Sequence, residues 1–210
     1  MNRKTKLNVI KLTFSLLFLN ILLAFTSVGG DWELKKEQEG IKIYTGDKDA
    51  GIKKIKIETS INYSAAKVLE ILKDKEKYTN WVYKCSEAKL LKKVNENEYY
   101  HYQMTSAPWP IQDRDMIVHL KIAENPNGEY ILTGKGIPDY LPERSGRVRI
   151  KHYQTLWKIT PITDNSCQVI YEMRVDPSGA IPAWLYNLGS TEGPLITAQN
   201  LKKEVEKRFH

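Results

Sequence analysis

Cysteine is scarce in this chain, and the short motifs that mark common catalytic centres are missing. Cys85 and Cys167 are the two cysteines among 210 residues, which is too few for a disulfide-stabilised scaffold or a cysteine-rich zinc site. The sequence contains no G-x-S-x-G, no H-E-x-x-H, no glycine-rich phosphate loop and no C-x-x-C. We therefore expect no metal and no cofactor.

Long apolar runs are also rare, and the one that is present lies at the N-terminus. Leu12 to Phe25 is apolar except for three polar residues, four basic residues precede Leu12, and small residues follow the run. This layout is typical of a secretory signal peptide over residues 1–29, with cleavage near Gly29 or Gly30. An uncleaved N-terminal anchor would share these features. We expect an exported protein, periplasmic or secreted, whose folded domain spans residues 31–209.

A strong excess of positive charge is absent once this leader is set aside. The chain has a formal net charge of +7, but residues 1–29 contribute four cations and no acidic residue, so the remainder carries +3. A nearly balanced domain lacks the basic surface on which nucleic-acid binding depends. We therefore expect no nucleic-acid partner.

Hydrophobic periodicity predicts an α+β domain with nine strands. Alternating or continuous apolar patterns, separated by turn-forming residues, indicate strands at 32–38, 41–46, 53–61, 83–94, 97–106, 114–124, 129–135, 146–160 and 166–176. Ser64 is a suitable N-cap for a helix over residues 65–73. A final long helix, kinked near Pro194, places Leu195, Ala198, Leu201, Val205 and Phe209 on one stripe.

One amphipathic helix is too narrow to cover the apolar face of so large a sheet. Large side chains could fill the remaining gap, or a space could stay open between helix and sheet. The second arrangement would create a site for an apolar ligand. The periodicity is compatible with both.

The residue types that most often act in catalysis or metal binding are scattered along the sequence. His101, His119 and His152 lie in predicted strands and His210 ends the chain, so we expect ordinary hydrogen-bonded histidines rather than a cluster. Asp113, Arg114 and Asp115 are adjacent in a strand, where neighbouring side chains point to opposite faces. A local ion pair that anchors the strand is the simpler interpretation of this triplet.

Three longer segments occur in a characteristic order. They are Pro108–Asp115 (PWPIQDRD), Glu143–Lys151 (ERSGRVRIK) and Asp176–Asn187 (DPSGAIPAWLYN), with Trp32 and Trp81 upstream. Together they resemble the START lipid-transfer domain, and within it the phosphatidylcholine-transfer branch, over Asp31–Phe209. The resemblance implies a helix-grip fold, in which a curved nine-stranded antiparallel sheet wraps around the C-terminal helix and encloses a tunnel for one lipid. In the implied strand order Cys85 and Cys167 are not on neighbouring strands, which disfavours a disulfide.

Head-group signatures of the family are incomplete here. Tyr78 and Thr79 occupy the place where the phosphatidylcholine branch has a basic residue, and Thr155 lies near the position of a glutamine of that site. His101 and Leu120 occupy the positions of the acidic–basic pair of sterol-binding members. The strand at 114–124 presents an apolar face, so the resemblance implies a lipid or other apolar ligand of undefined class.

The hypothesis from the sequence is non-enzymatic binding and transfer of a lipid by a monomer that meets a membrane surface transiently. The ligand-binding residues predicted with it are His101, Trp109, Arg114, Met116, Val118, Leu120, Tyr140, Leu141, Trp157, Met173, Trp184, Leu185 and Leu188. The alternative is a helix-grip enzyme, cyclase-like or hydrolase-like, that acts on an apolar substrate in the same cavity. Its best available catalytic set is His101 with Arg114 or Glu172.

A gate is predicted at one end of the tunnel. The loop at 136–146 contains Ile137, Tyr140 and Leu141 between two prolines, and apolar side chains on a loop need cover. The Trp184, Leu185 and Leu188 face of the final helix could provide that cover. Opening of these two elements would then admit the lipid.

Overall fold

The computed structural model describes residues 32–49, 52–176, 178, 179, 181 and 190–210, without the side chains of residues 47–49, 52 and 53. The strands are β1 Trp32–Gln38, β2 Ile41–Asp49, β3 Ile52–Ile61, β4 Cys85–Asn95, β5 Glu98–Thr105, β6 Asp113–Glu124, β7 Tyr130–Gly136, β8 Arg147–Arg149, β9 His152–Thr163 and β10 Ser166–Asp176. The α-helices are α1 Ala65–Lys73, α2 Tyr78–Trp81 and α3 Glu192–Phe209, and short 3₁₀ turns cover Lys75–Lys77 and Pro138–Tyr140.

Nine strands form one continuous antiparallel path in the order β1-β2-β3-β10-β9-β7-β6-β5-β4. The connection that places β10 beside β3 brings the last strand of the chain into the middle of the sheet. Strands from the N-terminal part and the C-terminal part of the domain are therefore paired there. This confirms the α+β fold of a large antiparallel sheet with a C-terminal helix.

The predicted strand at 146–160 is divided into two. Arg147–Arg149 forms the short strand β8, which pairs in parallel with Asp113–Asp115, whereas His152–Thr163 forms β9. At the break, the Ile150 N–H donates to the carbonyl oxygen of Asp115 at 2.9 Å, and the Ile150 side chain is buried. The Ile150 side chain points into the interior at the point where the strand pairing is interrupted. The apolar pattern of the sequence therefore continues across the break between β8 and β9.

Helix α1 begins as the sequence predicts, and α3 follows part of the predicted long helix. The Ser64 hydroxyl accepts a hydrogen bond from the backbone N–H of Lys67 at 3.4 Å, which caps α1. In α3 the stripe of Leu195, Ala198, Leu201 and Val205 is buried. The segment at 182–189, for which the sequence predicts the start of the helix and the kink, lies outside the described residues.

Helix α3 contacts two different parts of the core. Its C-terminal half places Leu201 and Val205 in the largest apolar cluster, together with residues of α1, Trp81 and the middle strands. Its N-terminal half places Leu195 and Ala198 against isoleucines of β2 and β3. The helix is thus held along its length by the concave face of the sheet.

Cys85 and Cys167 are buried and free. Cys85 begins β4 at the edge of the sheet, whereas Cys167 lies on β10 between β3 and β9. The expected absence of a neighbouring pair is therefore found. Among the helices of the described residues, none is both long and apolar enough to cross a membrane.

Candidate functional site

A cavity of about 290 Å³ lies between the beginning of α3 and one end of the sheet. Much of its wall is apolar and comes from β3, β6, β9, β10 and the segments around them. These apolar and aromatic residues are Ile55, Ile57, Val82, Tyr83, Ala107, Pro108, Met116, Ile150, Tyr153, Tyr171, Met173, Val175, Ile181 and Pro194. Such a wall, next to a few polar groups, is the usual composition of a small-molecule site.

The polar part of the wall is concentrated on the neighbouring ends of β4, β5 and β6. The Ser106 N–H donates to the carbonyl oxygen of Lys84 at 2.9 Å, and Thr105 is paired with Arg114 across β5 and β6. Gln103 is paired with Met116 one step further along. Among the described lining residues, Lys84 and Arg114 are the charged ones, and both are cations.

Arg114 is the buried cation among the described lining residues. Its side chain is 9% exposed, and one terminal nitrogen, NH1, donates to the carbonyl oxygen of Gln112 at 2.5 Å. The buried Nε has no hydrogen-bond partner. Burial lowers the pKa of the guanidinium, and the charge of Asp113 opposes that shift; an arginine in this position remains protonated.

Asp115, which follows Arg114 in the sequence, forms its ion pair with a different arginine, Arg149. Arg149 donates through Nε to Oδ1 of Asp115 at 2.7 Å and through NH2 to Oδ2 at 3.0 Å, and both side chains are 1% exposed. The predicted ion pair of the Asp113–Asp115 triplet is therefore a long-range pair with β8. Arg149 also donates to the carbonyl oxygens of Pro138 at 2.6 Å and Leu141 at 3.0 Å, so this pair fixes the loop at 136–146 to the sheet.

Two tyrosines form a polar spot on the opposite, mainly apolar wall. The hydroxyl groups of Tyr153 and Tyr171 are 3.3 Å apart. Burial is the largest cause that raises the pKa of both phenols, so both remain neutral at ordinary pH. They can donate or accept hydrogen bonds without adding charge to the cavity.

Three of the predicted ligand-binding residues line the cavity: Arg114, Met116 and Met173. Val118 packs beside Met116 and Ile150, just behind the lining. Leu120 and Trp157 belong to the large apolar cluster around Trp81. The face of β6 therefore lines a cavity at its beginning and a packed core further along.

Three further predictions concern the surface and the gate. Trp109 is 93% exposed and does not line the cavity, although its neighbour Pro108 does. Tyr140 stacks on Tyr100, with ring centroids 5.0 Å apart, and Tyr100 is on the face of β5 opposite Gln103. The structure thus places Tyr140 outside the cavity, and no residue of the loop at 136–146 is among the described lining residues. Trp184, Leu185 and Leu188 lie outside the described residues.

His101 differs from the expectation of an ordinary hydrogen-bonded side chain, whereas His119 agrees with it. His101 is buried beside the Tyr78 ring, at 5.7 Å between centroids, and its Nδ1 has no hydrogen-bond partner. Burial, and then the charge of Lys75, lower its pKa well below 6.5. His119 does find a partner, because its Nε2 lies 2.6 Å from Glu98 Oε1.

Most of the polar wall was not predicted from the sequence. Gln103, Thr105 and Lys84 have no distinctive type or spacing in the sequence. Gln103 and Thr105 reach the cavity because β5 pairs with β6 in a register that sets Thr105 opposite Arg114, and Lys84 lies beside them through the hydrogen bond from Ser106. Ile55 and Ile57 were predicted as one face of a strand, without a role in the site. A sequence signal existed for the isoleucines in their alternation, but none existed for the polar residues.

Comparison with known proteins decides the family. The model of the START domain matches residues 21–205 of this chain. This chain belongs to the START domain family. The predicted resemblance is therefore confirmed, and the helix-grip arrangement of sheet and C-terminal helix is the fold of that family.

Relatives of this START domain are found in bacteria and animals. A solved STAR-related lipid transfer protein from Xanthomonas axonopodis is 32% identical and superposes with a TM-score of 0.76, covering 83% of this chain and 98% of that protein. An uncharacterised protein of Pseudomonas aeruginosa is 29% identical over 89% of this chain and 92% of its own length. The phosphatidylcholine transfer protein of Mus musculus is 26% identical, with 79% of each chain covered.

Proposed function

We propose that this START domain binds one lipid in the cavity beside the beginning of α3 and carries it between membranes. The observation that supports the proposal is a cavity of about 290 Å³ with a largely apolar wall in a chain whose named relatives include lipid transfer proteins. Each methylene group moved from water into such a wall contributes roughly 0.8 kcal/mol. An acyl chain could therefore supply most of the affinity.

The membrane contact is proposed to lie at Trp109. The Pro108-Trp109-Pro110 turn follows lining residue Ala107 directly, so a fully exposed indole stands at the edge of the cavity. Tryptophan is favoured at the depth of the lipid head groups. Insertion of this side chain would bring the opening of the cavity to the membrane surface.

The lipid is proposed to enter past the beginning of α3. Gly193, Pro194 and Thr197 line the cavity there. Two polar contacts at this end are Lys36 to Glu192 at 2.5 Å and the hydrogen bond that the Tyr83 N–H donates to the Thr197 hydroxyl at 3.1 Å. The other element of the predicted gate, the loop at 136–146, is anchored by the buried Arg149. Of these two elements, the beginning of α3 is the one that lines the cavity, and it is the proposed moving part.

The enzyme alternative receives less support from the positions of its residues. Tyr171 and Met173 line the cavity, so Glu172 between them points to the opposite face of β10. His101 lies beside Tyr78 rather than among the described lining residues. Of the proposed catalytic set, Arg114 is the one among the described lining residues, and these include no carboxylate or histidine to act with it.

Native mass spectrometry of the full chain, with lipid extraction, tests the proposal. We expect one co-purifying lipid per chain, or uptake of one lipid from mixed liposomes. Met173→Trp should block uptake by filling the cavity, whereas Glu172→Trp, which puts the same ring on the other face of β10, should not. Purified protein without lipid, combined with no uptake from liposomes, would refute lipid binding.

Export is a separate proposal, supported by the basic and apolar leader at residues 1–29. If the leader is cleaved, N-terminal sequencing of protein from the native host should begin near Gly30 or Asp31. An intact Met1 on membrane-bound protein would indicate an anchor instead. An intact Met1 on soluble cytoplasmic protein would refute export.

A further inference from the structure

The charged residues that line the cavity, and the carboxylates that do not, bear on the charge of a ligand that could bind there. Its described lining residues include two cations, Lys84 and Arg114, and no carboxylate. The two acidic residues that flank Arg114 in the sequence have other partners: Asp115 is paired with Arg149, and Asp113 accepts a hydrogen bond from the Ala107 N–H at 2.9 Å. In the described part of the chain, no ion pair neutralises Arg114.

A buried guanidinium with an unpaired N–H donor lowers the stability of the folded protein unless a ligand supplies a hydrogen-bond acceptor. Nε of Arg114 is buried without a hydrogen-bond partner, and an unsatisfied buried group loses its hydration without compensation. Hydrogen bonds from a cation to a carboxylate or phosphate are about twice as strong as those between neutral groups. A purely apolar ligand would leave this donor unsatisfied, and a neutral polar ligand would offer it only the weaker kind of hydrogen bond.

The positions that the family resemblance associates with head groups are occupied by core packing in this chain. Tyr78 and Leu120 lie in the large apolar cluster, and the Tyr78 hydroxyl already donates to the Leu72 carbonyl oxygen at 2.8 Å. His101 packs against Tyr78. A polar head group in the cavity must therefore meet other residues.

We propose that the polar wall formed by Arg114, Lys84, Thr105 and Ser106 holds the anionic group, carboxylate or phosphate, of an acidic lipid. The hydrocarbon part would then lie against Met116, Met173 and the other apolar residues across the cavity. This inference rests on the proposed lipid-binding function and specifies its ligand class. Arg114 supplies the buried charge, Lys84 a second cation at the edge, and the hydroxyl groups further donors.

Two competitions measure the preference, each read by native mass spectrometry of the full chain. Phosphatidylcholine vesicles that contain equal amounts of oleate and oleyl alcohol compare lipids with the same hydrocarbon chain and different head-group charge. Vesicles with equal amounts of phosphatidylglycerol and phosphatidylcholine test a phosphate with net charge. The arm in which the anionic lipid is enriched distinguishes a carboxylate from a phosphate ligand.

We expect the wild-type protein to enrich at least one anionic lipid roughly tenfold or more, the ratio that charge-assisted hydrogen bonds can provide. Arg114→Met should abolish this enrichment, Arg114→Lys should keep part of it, and Lys121→Met, on an exposed position, should leave it unchanged. Uptake without preference in both arms would overturn this inference alone. Failure to take up any of the four lipids, in protein that is also purified without lipid, would overturn lipid binding itself.

A second measurement needs no neutral variant and therefore does not depend on the folding of Arg114→Met. In spectra of isotope-labelled arginine, the Nε–H resonance of Arg114 is the one missing from Arg114→Lys. We expect it to shift when the wild-type protein is loaded with the anionic lipid, and to remain in place with oleyl alcohol. An unchanged resonance in protein confirmed to carry the anionic lipid would contradict the assignment.

Discussion

The two ends of the interior differ sharply although the same strands build both. At one end, Leu120, Trp157 and Val169 pack with Trp81 and the second half of α3 into a filled core. At the other end, residues of the same strands, such as Met116, Tyr153 and Met173, line a cavity under the first half of α3. We call these the packed end and the cavity end.

The difference shows why hydrophobic periodicity cannot distinguish a core from a binding site. Both ends use one alternating apolar face on each strand, and both lie against α3. What changes is the size of the covering groups: Trp81 and Leu201 fill the packed end, whereas α3 offers Gly193 and Thr197 at the cavity end. Small residues on the helix leave the space that a ligand needs.

The largest expected effect of a substitution is at the packed end. Leu120→Ala should lower the free energy of unfolding by about 2–5 kcal/mol, because it creates a void in a filled core. Met116 lies four residues before Leu120 on the same face of β6. Met116→Ala should lower the free energy of unfolding by only about 1–2 kcal/mol, because its neighbours already border a cavity. Denaturant unfolding of both lipid-free proteins measures this, and equal losses would contradict the division into two ends.

A second prediction concerns Lys75, a cation buried at the packed end. Burial is the main cause that lowers its pKa from 10.5 to about 7. Between these values the unfolded chain binds more protons than the folded one, so the free energy of unfolding should rise with pH across this window, by up to about 1.4 kcal/mol per pH unit. Lys75→Met should remove that rise.

The matched control for Lys75→Met is Lys121→Met, whose side chain is 62% exposed. It should keep the pH dependence of the wild-type protein. The packed end should tolerate Lys75→Met, because the Tyr78 hydroxyl retains the Leu72 carbonyl oxygen as its acceptor. Identical pH profiles for wild type and Lys75→Met would show that the ammonium group is not buried as described.

Substitutions of exposed apolar residues at the two ends should differ in their effect on the rate of lipid uptake rather than on the free energy of unfolding. Trp109→Ala at the cavity end should slow lipid uptake from vesicles roughly three- to tenfold, since the loss of about 1 kcal/mol of interfacial binding corresponds to such a factor. Ile162 is also exposed, at 58%, but lies toward the packed end of β9. Ile162→Ala should leave the rate unchanged, and equal slowing by both variants would refute a docking role for Trp109.

The smallest expected effect is at the hydrogen bond that holds the beginning of α3. Thr197→Val removes the acceptor of the Tyr83 N–H with little change of shape, at a cost of about 1 kcal/mol. If lipid enters past this end, exchange between liposomes should become up to about fivefold faster. A loss of stability with an unchanged exchange rate would place the entrance elsewhere.

The sequence predicted the architecture much better than it predicted the site. Alternation and a helical stripe are local patterns, so the strands and α3 could be read directly, and three ordered motifs identified the family. Arg114, Met116 and Met173 were predicted among thirteen site residues because they share an inward face. Gln103, Thr105 and Lys84 were missed because their place depends on strand register, which is set by pairing between segments distant in the chain.

Two residues lie in surroundings that the sequence did not predict. Tyr140 was predicted to bind ligand from a loop, but the buried Arg149 holds that loop on the sheet, and Tyr140 stacks on the outer face with Tyr100. His101 was expected to be hydrogen-bonded, and its Nδ1 is not. Both surroundings depend on ring contacts with other segments, Tyr100 for Tyr140 and Tyr78 for His101, which the local sequence does not reveal.

The most direct test of the two-ended interior is photo-crosslinking with an oleate that carries a diazirine in its hydrocarbon chain, followed by residue-level mass spectrometry. We predict labels on Met116 and Met173 at the cavity end and none on Leu120 and Val169, which share their strands and faces. Labelling of the packed-end residues would mean that the core opens to the lipid. Labelling confined to the exposed Trp109 would mean that the lipid does not enter the cavity at all.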